Sequence, residues 1–384
     1  MLFRPVVRDL LRVRTRDRGA RVHLDAAMRW LESARAAVGG RGISRSYTLR
    51  YKRAHHRRGW LAAYPETVGY IIPTYYDYAR LSGESGFATA ARELAHWEAD
   101  EQLDSGAVTA GVIGSTREPA VFNTGQVLFG WAAAVQEGSD ERLRLAAERA
   151  GAFLLGAQDA DGAFRRHGST RARAGVNVYD ARTAWGLIEA GKVCGREDFL
   201  DAAVRNLDFV LTRQRPNGWF AECCLDDDQA PLLHTIAYTI EGLLGGGLAL
   251  GQERFVAAAR RAADALVGLQ RPDGSLAGRF DERWQSRETW SCLTGDAQMA
   301  ICWWRLAAQT GEPGFRDAAR RMNAFLRGTQ DLGGTDAGVR GGIKGAQPIW
   351  GDYGAFEYLN WAAKFFADAQ MLELADSAPV PSAG

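Results

Sequence analysis

One short stretch of the sequence contains three side chains that could move protons. In HTIAYTIEGLL, His234, Tyr238 and Glu241 are spaced by four and three residues, which places them on one face of an α-helix. The residues between them are mostly apolar, so this face needs either polar partners or a wet cavity. Histidine can act as a general base, a tyrosine hydroxyl can donate a proton, and a carboxylate can orient the base. The alternative is that all three form hydrogen bonds between helices and are structural.

A run of three aspartates at positions 226–228 lies in the segment before this helix. Such a run can hold a cation, pair with arginine, or simply be a solvated loop. Asp226 and Asp227 are therefore candidates for further catalytic carboxylates beside the helix.

Two cysteines also precede the helix. Cys223 and Cys224 could bind zinc together with His234. Adjacent cysteines followed ten residues later by histidine form a weak ligand pattern, so we predict neither a metal nor another cofactor. The chain has five cysteines without framework spacing, which indicates reduced thiols in a cytoplasm.

Polar and aromatic residues recur where other apolar helices are predicted to begin. Glu66 lies one turn before Tyr70, and Asp180 has the position of a helix N-cap. Each carboxyl could be an acid or a base, although an aspartate at a helix start is more often only a cap. We include both among the catalytic candidates. The residues predicted to bind substrate are Tyr64, Tyr70, Tyr179, Arg182, Trp219, Arg279, Trp290, Asp296, Lys344, Asp352, Tyr353 and Glu357.

The last apolar segment shows a similar pattern, because Tyr353, Glu357, Asn360 and Lys364 have helical spacing. Such a row on one face of a buried helix is unusual unless that face is wet. Aromatic rings stack on sugar rings, while carboxylates and arginines bind hydroxyl and carboxyl groups. The composition therefore favours a glycan site. Paired carboxylates could hydrolyse a glycosidic bond, whereas a histidine or tyrosine base could remove the proton next to a uronate carboxyl.

An internal repeat predicts the elements that position these residues. A glutamine is followed four residues later by a glycine in five copies, with successive spacings of 56, 56, 56 and 60 residues. The glutamines are Gln102, Gln158, Gln214, Gln270 and Gln330. A sixth, weaker copy has Val38 before Gly42. A period of this size indicates a repeat architecture. We predict that each glutamine bonds unpaired backbone groups at the end of an outer helix, and that each glycine turns the chain with a positive φ.

Each period contains an amphipathic helix, a long loop and a more apolar helix. The amphipathic helices are predicted over 22–37, 85–102, 140–157, 196–213, 253–269 and 312–329. The apolar helices are predicted to begin near Glu66, Thr124, Asp180, His234, Gly295 and Gly354. Since an apolar helix is buried on most sides, the sequence predicts an all-α fold, an (α/α)6 toroid of six helical hairpins with inner and outer helix rings. The six long loops then surround the mouth of a central cavity, where we expect the site.

The predicted organisation is a basic N-terminal arm over 1–21, a single toroid domain over 22–373 and a disordered tail over 374–384. Residues 1–58 have a net charge of +12, whereas the whole chain has +1. A basic segment can attract an anionic substrate, a membrane surface or partner enzymes such as glycosyltransferases, or it can simply be solvated. No nucleic-acid module accompanies it. With neither a membrane-spanning apolar run nor a signal peptide, the expected location is the cytoplasm, including the periphery of the inner membrane.

Five segments show a family resemblance: AYPETVGYIIPT, FNTGQVLFGW, HTIAYTIEGLL, CLTGDAQMAI and YLNWAAKFF. Over residues 22–373 the chain resembles the VpsJ-like α/α-toroid proteins of bacterial exopolysaccharide clusters. It is more distantly similar to six-hairpin glycosidases and to terpenoid cyclases and protein prenyltransferases. The resemblance implies polysaccharide biosynthesis or modification, without a particular reaction or catalytic residue. Asp296 replaces an asparagine expected in the family.

We therefore expect a glycan-active enzyme, a hydrolase or a lyase or epimerase, acting on an anionic polysaccharide or a lipid-linked sugar precursor in exopolysaccharide biosynthesis. The competing interpretation is a non-catalytic glycan-binding or scaffold protein of the same machinery. A terpenoid-cyclase-like enzyme fits less well, because LDDDQ lacks the Asp-x-Asp-Asp acid and DDDQAP lacks Asp-Asp-x-x-Asp. A lanthipeptide-cyclase-like enzyme would depend on the weak zinc pattern.

Overall fold

A computed structural model describes residues 3–170, 172 and 175–377 of the chain. Helices alternate with long loops that contain a few short strands. In chain order the elements are α1 (Phe3–Leu10), α2 (Ala20–Ala36), β1 (Ser46–Lys52), β2 (Arg57–Trp60), α3 (Pro65–Ser82), α4 (Ser85–Glu101), α5 (Val121–Gly138), α6 (Glu141–Ala157), α7 (Ala181–Cys194), α8 (Glu197–Leu211), α9 (Leu233–Leu250), α10 (Glu253–Val267), β3 (Ser291–Cys292), α11 (Leu293–Thr310), α12 (Pro313–Thr329), β4 (Ala346–Gln347), β5 (Glu357–Leu359) and α13 (Asn360–Ser377).

The odd-numbered helices from α3 to α13 form a closed inner ring. Each packs against the next, and α13 packs against α3. The even-numbered helices form the outer ring: α4 packs on α3, and so on around the circle, while α2 packs on α13. The predicted (α/α)6 toroid is therefore confirmed. None of the described helices has the length and apolar character needed to cross a membrane.

Glycines allow the inner helices to approach one another closely. A Cβ atom on Gly69 would lie 2.4 Å from the Cα of Val127, and one on Gly186 would lie 2.2 Å from the carbonyl oxygen of Gly125. No side chain fits at such distances, so the glycine-rich sequence of these helices is a requirement of the ring.

The repeated glutamine joins neighbouring outer helices. Gln214 Nε2 donates to the carbonyl of Gly218 at 3.2 Å and to that of Ala258, in the middle of the next outer helix, at 2.8 Å. Gln102, Gln158 and Gln270 make the corresponding pairs of bonds. The four glycines of these copies have φ between +88° and +91°. The predicted structural role of these four copies is confirmed.

The fifth copy closes the outer ring and differs from the prediction. Gln330 Nε2 donates to the carbonyl of His23 on α2 at 3.1 Å and to that of Gly341 at 2.7 Å. Gly341, with φ of +86°, occupies the turn that we assigned to Gly334. The assignment of Gly334 was wrong because the loop here is longer than in the other copies.

The helix predicted from Gly354 begins later, at Asn360. Residues 357–359 form strand β5, which pairs antiparallel with β1, Thr48 being opposite Glu357. Tyr353, Glu357, Asn360 and Lys364 therefore do not share a helix face. The sequence spacing was misleading because a partner strand more than 300 residues away determines the local structure. The other five inner helices begin within three residues of the predicted positions.

The segment before α2 includes a docked helix, although we described it as an arm. Asp9 of α1 is buried, and its carboxylate accepts bonds from Lys344 Nζ at 2.7 Å and from the amide of Ile349 at 2.7 Å. Of the tail predicted over 374–384, residues 374–377 are helical and the others lie outside the described residues. The domain boundaries themselves stay predictions.

Replacing Gln214 or Gln270 with alanine should destabilise the fold without changing the cavity. Each substitution removes two donated hydrogen bonds, so the free energy of unfolding should fall by about 1–2 kcal/mol. Urea unfolding would measure this, with Gln136→Ala, at an exposed position of α5, as the matched control. Loss of ligand binding with unchanged stability would contradict the structural role.

Candidate functional site

A narrow cavity opens where the inner helices begin, inside the circle of long loops. About 530 Å³ is free of protein atoms, of which about 60 Å³ is open to the centres of water molecules. Aromatic rings form most of its wall. They belong to Tyr64, Tyr70, Phe122, Tyr179, Tyr238, Tyr353 and Trp361. The other lining residues are Glu66, Ser169, Ala172, Leu225, His234 and Thr235. The cavity thus brings together seven of our candidates from four of the hairpins.

The protonation of His234 is determined by its neighbours. Its Nδ1 lies 2.6 Å from Gln298 Oε1, and Gln298 Nε2 donates to the carboxylate of Glu241 at 2.9 Å. Because the amide nitrogen is engaged by the carboxylate, the amide oxygen faces the ring and Nδ1 holds the proton. Nε2 is left with its lone pair. Burial lowers the pKa of His234 to about 4, so the ring is neutral at physiological pH.

Glu241 is held by a buried ion pair. Arg182 Nη1 donates to it at 2.8 Å, and both side chains are 3% exposed. Arg182 Nε donates to Gln126 Oε1 at 2.8 Å. Ion pairs in a protein interior are costly to desolvate, and these extra hydrogen bonds offset the cost. We call Gln126, Arg182, His234, Glu241 and Gln298 the central network.

All six inner helices meet at Arg182. Its guanidinium carbon lies 5.0–5.6 Å from the centroids of five rings, on helices α3, α5, α7, α9 and α13. The rings are those of Tyr70, Phe129, Trp185, Tyr238 and Phe365. Gln298 of α11 completes the circle through Glu241. The network therefore fills the centre of the toroid. Tyr70 and Tyr238 lie over Arg182 and line the cavity, and His234 is the network residue that lines it with them.

Tyr70 and Tyr238 are suited to donate protons rather than to accept them. Their hydroxyl oxygens are 3.5 Å apart, and the Tyr238 ring lies 4.3 Å from that of His234. Burial raises the pKa of both phenols well above the usual value. Both hydroxyls keep their protons beside the neutral imidazole.

Glu66 is the one carboxylate among the described lining residues. It accepts a hydrogen bond from the Tyr64 hydroxyl, which itself accepts from Asn123 Nδ2 at 3.4 Å. Glu66 and Tyr64, two separate candidates from the sequence, thus lie together in the wall.

Asp180 lies beside the cavity rather than in its lining. It borders an adjoining space that shares Phe122, Ser169, Ala172 and Tyr179 with the cavity. Thr183 Oγ1 donates to it at 3.1 Å, and the carboxylate makes no capping bond to α7. Burial raises the pKa of Asp180 to about 7, so this carboxyl is partly protonated near neutral pH.

The three aspartates at positions 226–228 do not line the cavity. Arg279 donates to both oxygens of Asp226, at 3.0 and 2.8 Å, and reaches Asp352 at 3.4 Å. The hydrogen bond from Arg279 lowers the pKa of Asp226. Asp227 is exposed and accepts from the amide of Gln229. Asp226, Arg279 and Asp352 thus join the three loops that lead to α9, α11 and α13.

Three further candidates have structural contacts. Trp219 Nε1 donates to the carbonyl of Phe280 at 3.3 Å, and Trp290 Nε1 donates to Glu288. Asp296 is fully buried and accepts from the amide of Leu276 at 3.2 Å. Burial raises the pKa of Asp296 well above its usual range. None of the three lines the cavity.

Lys344 and Glu357 form ion pairs at the end of the toroid where the cavity opens. Lys344 pairs with Asp9, and Glu357 pairs with Arg45 at 2.7 Å and with Lys52 at 2.5 Å. Although burial opposes it, the charges of Arg45 and Lys52 lower the pKa of Glu357 to about 2. Both residues fix loops and do not line the cavity.

The two cysteines before α9 contact different side chains, and neither forms a hydrogen bond with His234. Cys223 Sγ lies 3.3 Å from Thr239 Oγ1, and Cys224 Sγ donates to Asp228 at 2.6 Å. In the part of the chain that the structure describes, no three His, Cys, Asp or Glu side chains form a group that could hold a metal ion. Metal independence stays a prediction.

Gln298 and Gln126 are the important residues that the sequence analysis missed. Both are buried polar residues in apolar helices, and that was the available signal. On α11 the same signal drew attention to Asp296 instead. Residues two positions apart on a helix point to nearly opposite faces. Asp296 therefore faces a loop, while Gln298 faces the centre of the toroid. Phe122 and Trp361 were also missed, as apolar residues are no guide to a site.

No family model and no curated protein matches this sequence. Among solved structures, the chain is similar to unsaturated glucuronyl hydrolase from Bacillus sp. GL1, with 17% identity, a TM-score of 0.73, and coverage of 92% of this chain and 96% of that one. An unsaturated glucuronyl hydrolase specific for heparin has 15% identity and a TM-score of 0.73, covering 93% and 98%. Cellobiose 2-epimerase from Bacillus thermoamylovorans B4167 has 9% identity and a TM-score of 0.72, covering 94% and 98%. The chain thus has the α/α-toroid fold of these structures, and the VpsJ-like resemblance stays a prediction.

Proposed function

We propose that the protein is a glycan-active enzyme in which His234 removes a proton from a sugar bound in the cavity. The observation that supports this most directly is the hydrogen-bonded chain from Glu241 through Gln298 to His234 Nδ1. It leaves a neutral imidazole with Nε2 as the proton acceptor. Nε2 makes no hydrogen bond to the described residues, and His234 lines the cavity, so this nitrogen is available to a ligand.

The reaction class that this geometry favours is that of a lyase or epimerase. His234 Nε2 takes a proton from a carbon next to a carbonyl or carboxyl group, and the electron pair of the C–H bond moves onto the oxygen. Hydroxyls of Tyr70 and Tyr238 stabilise that oxygen by hydrogen bonding. Return of a proton from solvent to the opposite face inverts the carbon, and the imidazolium of His234 then gives its own proton to solvent. In a lyase, the substituent on the neighbouring carbon instead leaves as an alcohol that takes the proton from the imidazolium, and a double bond forms between the two carbons.

The shape of the cavity favours a terminal sugar residue. Its narrow, ring-lined space offers aromatic faces for stacking, while a longer glycan would continue outward among the mouth loops. Fold similarity to a cellobiose 2-epimerase and to glucuronyl hydrolases supports a saccharide as the ligand. The anionic character of the substrate, the lipid-linked precursor and the exopolysaccharide setting in the cytoplasm stay predictions from the sequence.

Hydrolysis is the second candidate, because of Asp180. A carboxyl with a pKa of about 7 fits a general acid at neutral pH, and Glu66 could serve as the second carboxylate. One similar structure is an unsaturated glucuronyl hydrolase with an aspartate replaced by asparagine, in complex with dGlcA-GalNAc6S. This supports testing Asp180 as an acid.

Proton abstraction should be visible as exchange with solvent. In heavy water, saturated oligouronides or neutral oligosaccharides should gain deuterium at a ring carbon, which mass spectrometry and nuclear magnetic resonance would detect. A lyase would also produce ultraviolet absorbance. New reducing ends without deuterium would indicate hydrolysis instead. Binding without any conversion would favour the scaffold interpretation and reject the enzyme.

Replacing Tyr238 with phenylalanine should remove one hydroxyl and leave the ring over Arg182. We expect turnover to fall roughly 10²–10⁴-fold, the range for losing a positioned acid or base, with little change in melting temperature. Tyr51→Phe, at a position 60% exposed, is the matched control. A purely structural hydroxyl would show the opposite result, with about 1 kcal/mol lost in stability and turnover unchanged.

The pH dependence of kcat/KM should distinguish the two candidates. Since the pKa of His234 is lowered to about 4, a histidine base stays neutral and active from neutral pH down to about pH 5, and loses activity only as the pH approaches 4. If Asp180 is the acid, it loses its proton as the pH rises through its pKa of about 7. The enzyme then loses activity over the same pH range. Asp180→Asn should abolish the alkaline decline only in the second case. Circular dichroism at each pH would confirm that the fold is retained.

A further inference from the structure

The segment around the end of α1 exposes an unusual combination of apolar and cationic side chains. Leu10 is 63% exposed, Leu11 69%, Val13 45% and Val7 42%. Large apolar side chains are this exposed at only ten positions of the described chain, and four of them fall within these seven residues. Such a cluster marks an interaction surface rather than chance exposure.

Arginines without partners lie between and beyond these residues. Arg12, Arg16 and Arg18 are exposed, and their guanidinium groups make no ion pair or hydrogen bond with the described residues. Their positive charge is therefore uncompensated by the protein itself.

Two ion pairs join this surface to the loops at the mouth of the toroid. Asp9 pairs with Lys344 in the loop that leads to α13, and Arg14 reaches Asp273, in the loop that leads to α11, at 3.3 Å. Beside it lies a groove with about 570 Å³ open to the centres of water molecules, whose lining includes Leu10, Arg12 and Trp350. Trp350 is itself 41% exposed. The surface and the cavity consequently lie at the same end of the molecule.

We propose that residues 7–18, together with Trp350, dock on a membrane that contains anionic phospholipids. Leu10, Leu11 and Val13 would enter the boundary between headgroups and acyl chains, as apolar faces of interfacial helices do. Arginines 12, 16 and 18 bind the lipid phosphates, and the tryptophan ring lies at the headgroup level. Docking in this way turns the mouth of the toroid toward the bilayer.

Two other binding partners for this surface fit the observations less well. A soluble anionic glycan matches the arginines, but it leaves the two exposed leucines without a partner. A second copy of this chain would bring the same cationic side chains together across a symmetric interface, and their mutual repulsion opposes it. An anionic lipid surface matches both the charge and the apolar side chains.

Vesicle co-sedimentation of the full chain tests the proposal. The protein should bind vesicles of phosphatidylglycerol and phosphatidylcholine, bind pure phosphatidylcholine at least tenfold more weakly, and dissociate as salt is raised. Arg12→Ser with Arg16→Ser should weaken the partition coefficient about 30-fold, at about 1 kcal/mol per arginine. Leu10→Ser with Leu11→Ser should weaken it at least tenfold.

The matched control is Leu81→Ser with Leu248→Ser, which replaces two exposed leucines at the opposite end of the toroid. It should bind vesicles like the unmodified protein, and circular dichroism should show that all variants are folded. Equal binding by the control and by Leu10→Ser with Leu11→Ser would overturn the proposal. So would a dimer in solution that the leucine substitutions dissociate, or binding to heparin in the absence of any vesicle binding.

Discussion

The ion pair between Arg182 and Glu241 organises the centre of the inner ring. Two charges lie at the centre of a ring of apolar helices, where an unpaired charge would be very costly. Their partners therefore come from the surrounding helices, as amides that bond the pair and as rings that cover the guanidinium. The consequence reaches the cavity, because the amide that satisfies Glu241 also determines which nitrogen of His234 holds the proton.

The outer ring has a structural role, whereas the inner ring supplies the polar residues of the candidate site. Outer helices are joined by nearly the same bonds at each repeat, from a glutamine to a glycine carbonyl and to the middle of the next helix. Inner helices α3 to α11 contain glycines, whereas α13 has none, and the polar residues of the central network differ around the ring: a glutamine from α5, an arginine from α7, a histidine and a glutamate from α9, and a glutamine from α11. The repeated bonds of the outer ring determine the toroidal shape. The varied polar residues of the inner ring form the candidate site.

Helices and their ring order could be predicted because they depend on local patterns. The period of the glutamines and the apolar character of the inner helices need no knowledge of distant partners. Glu357 and Lys344 could not be placed in this way, since their partners Arg45 and Asp9 lie 312 and 335 residues away. Of the candidate site, His234 and Tyr238 followed from their spacing. Gln298 did not, because an apolar helix with two polar residues does not reveal which of them faces the centre.

Closure of the ring has a consequence for how the chain is made. Helix α2 packs on α13, and Gln330 bonds the carbonyl of His23, so the first outer helix finds its partners only in the last hairpin. Contacts of such long sequence separation form slowly. While the ribosome is still synthesising the later repeats, the apolar face of α2 remains uncovered, and exposed surface of this kind promotes aggregation. We therefore expect the nascent protein to be most prone to aggregation in the interval before α13 emerges and completes the circle.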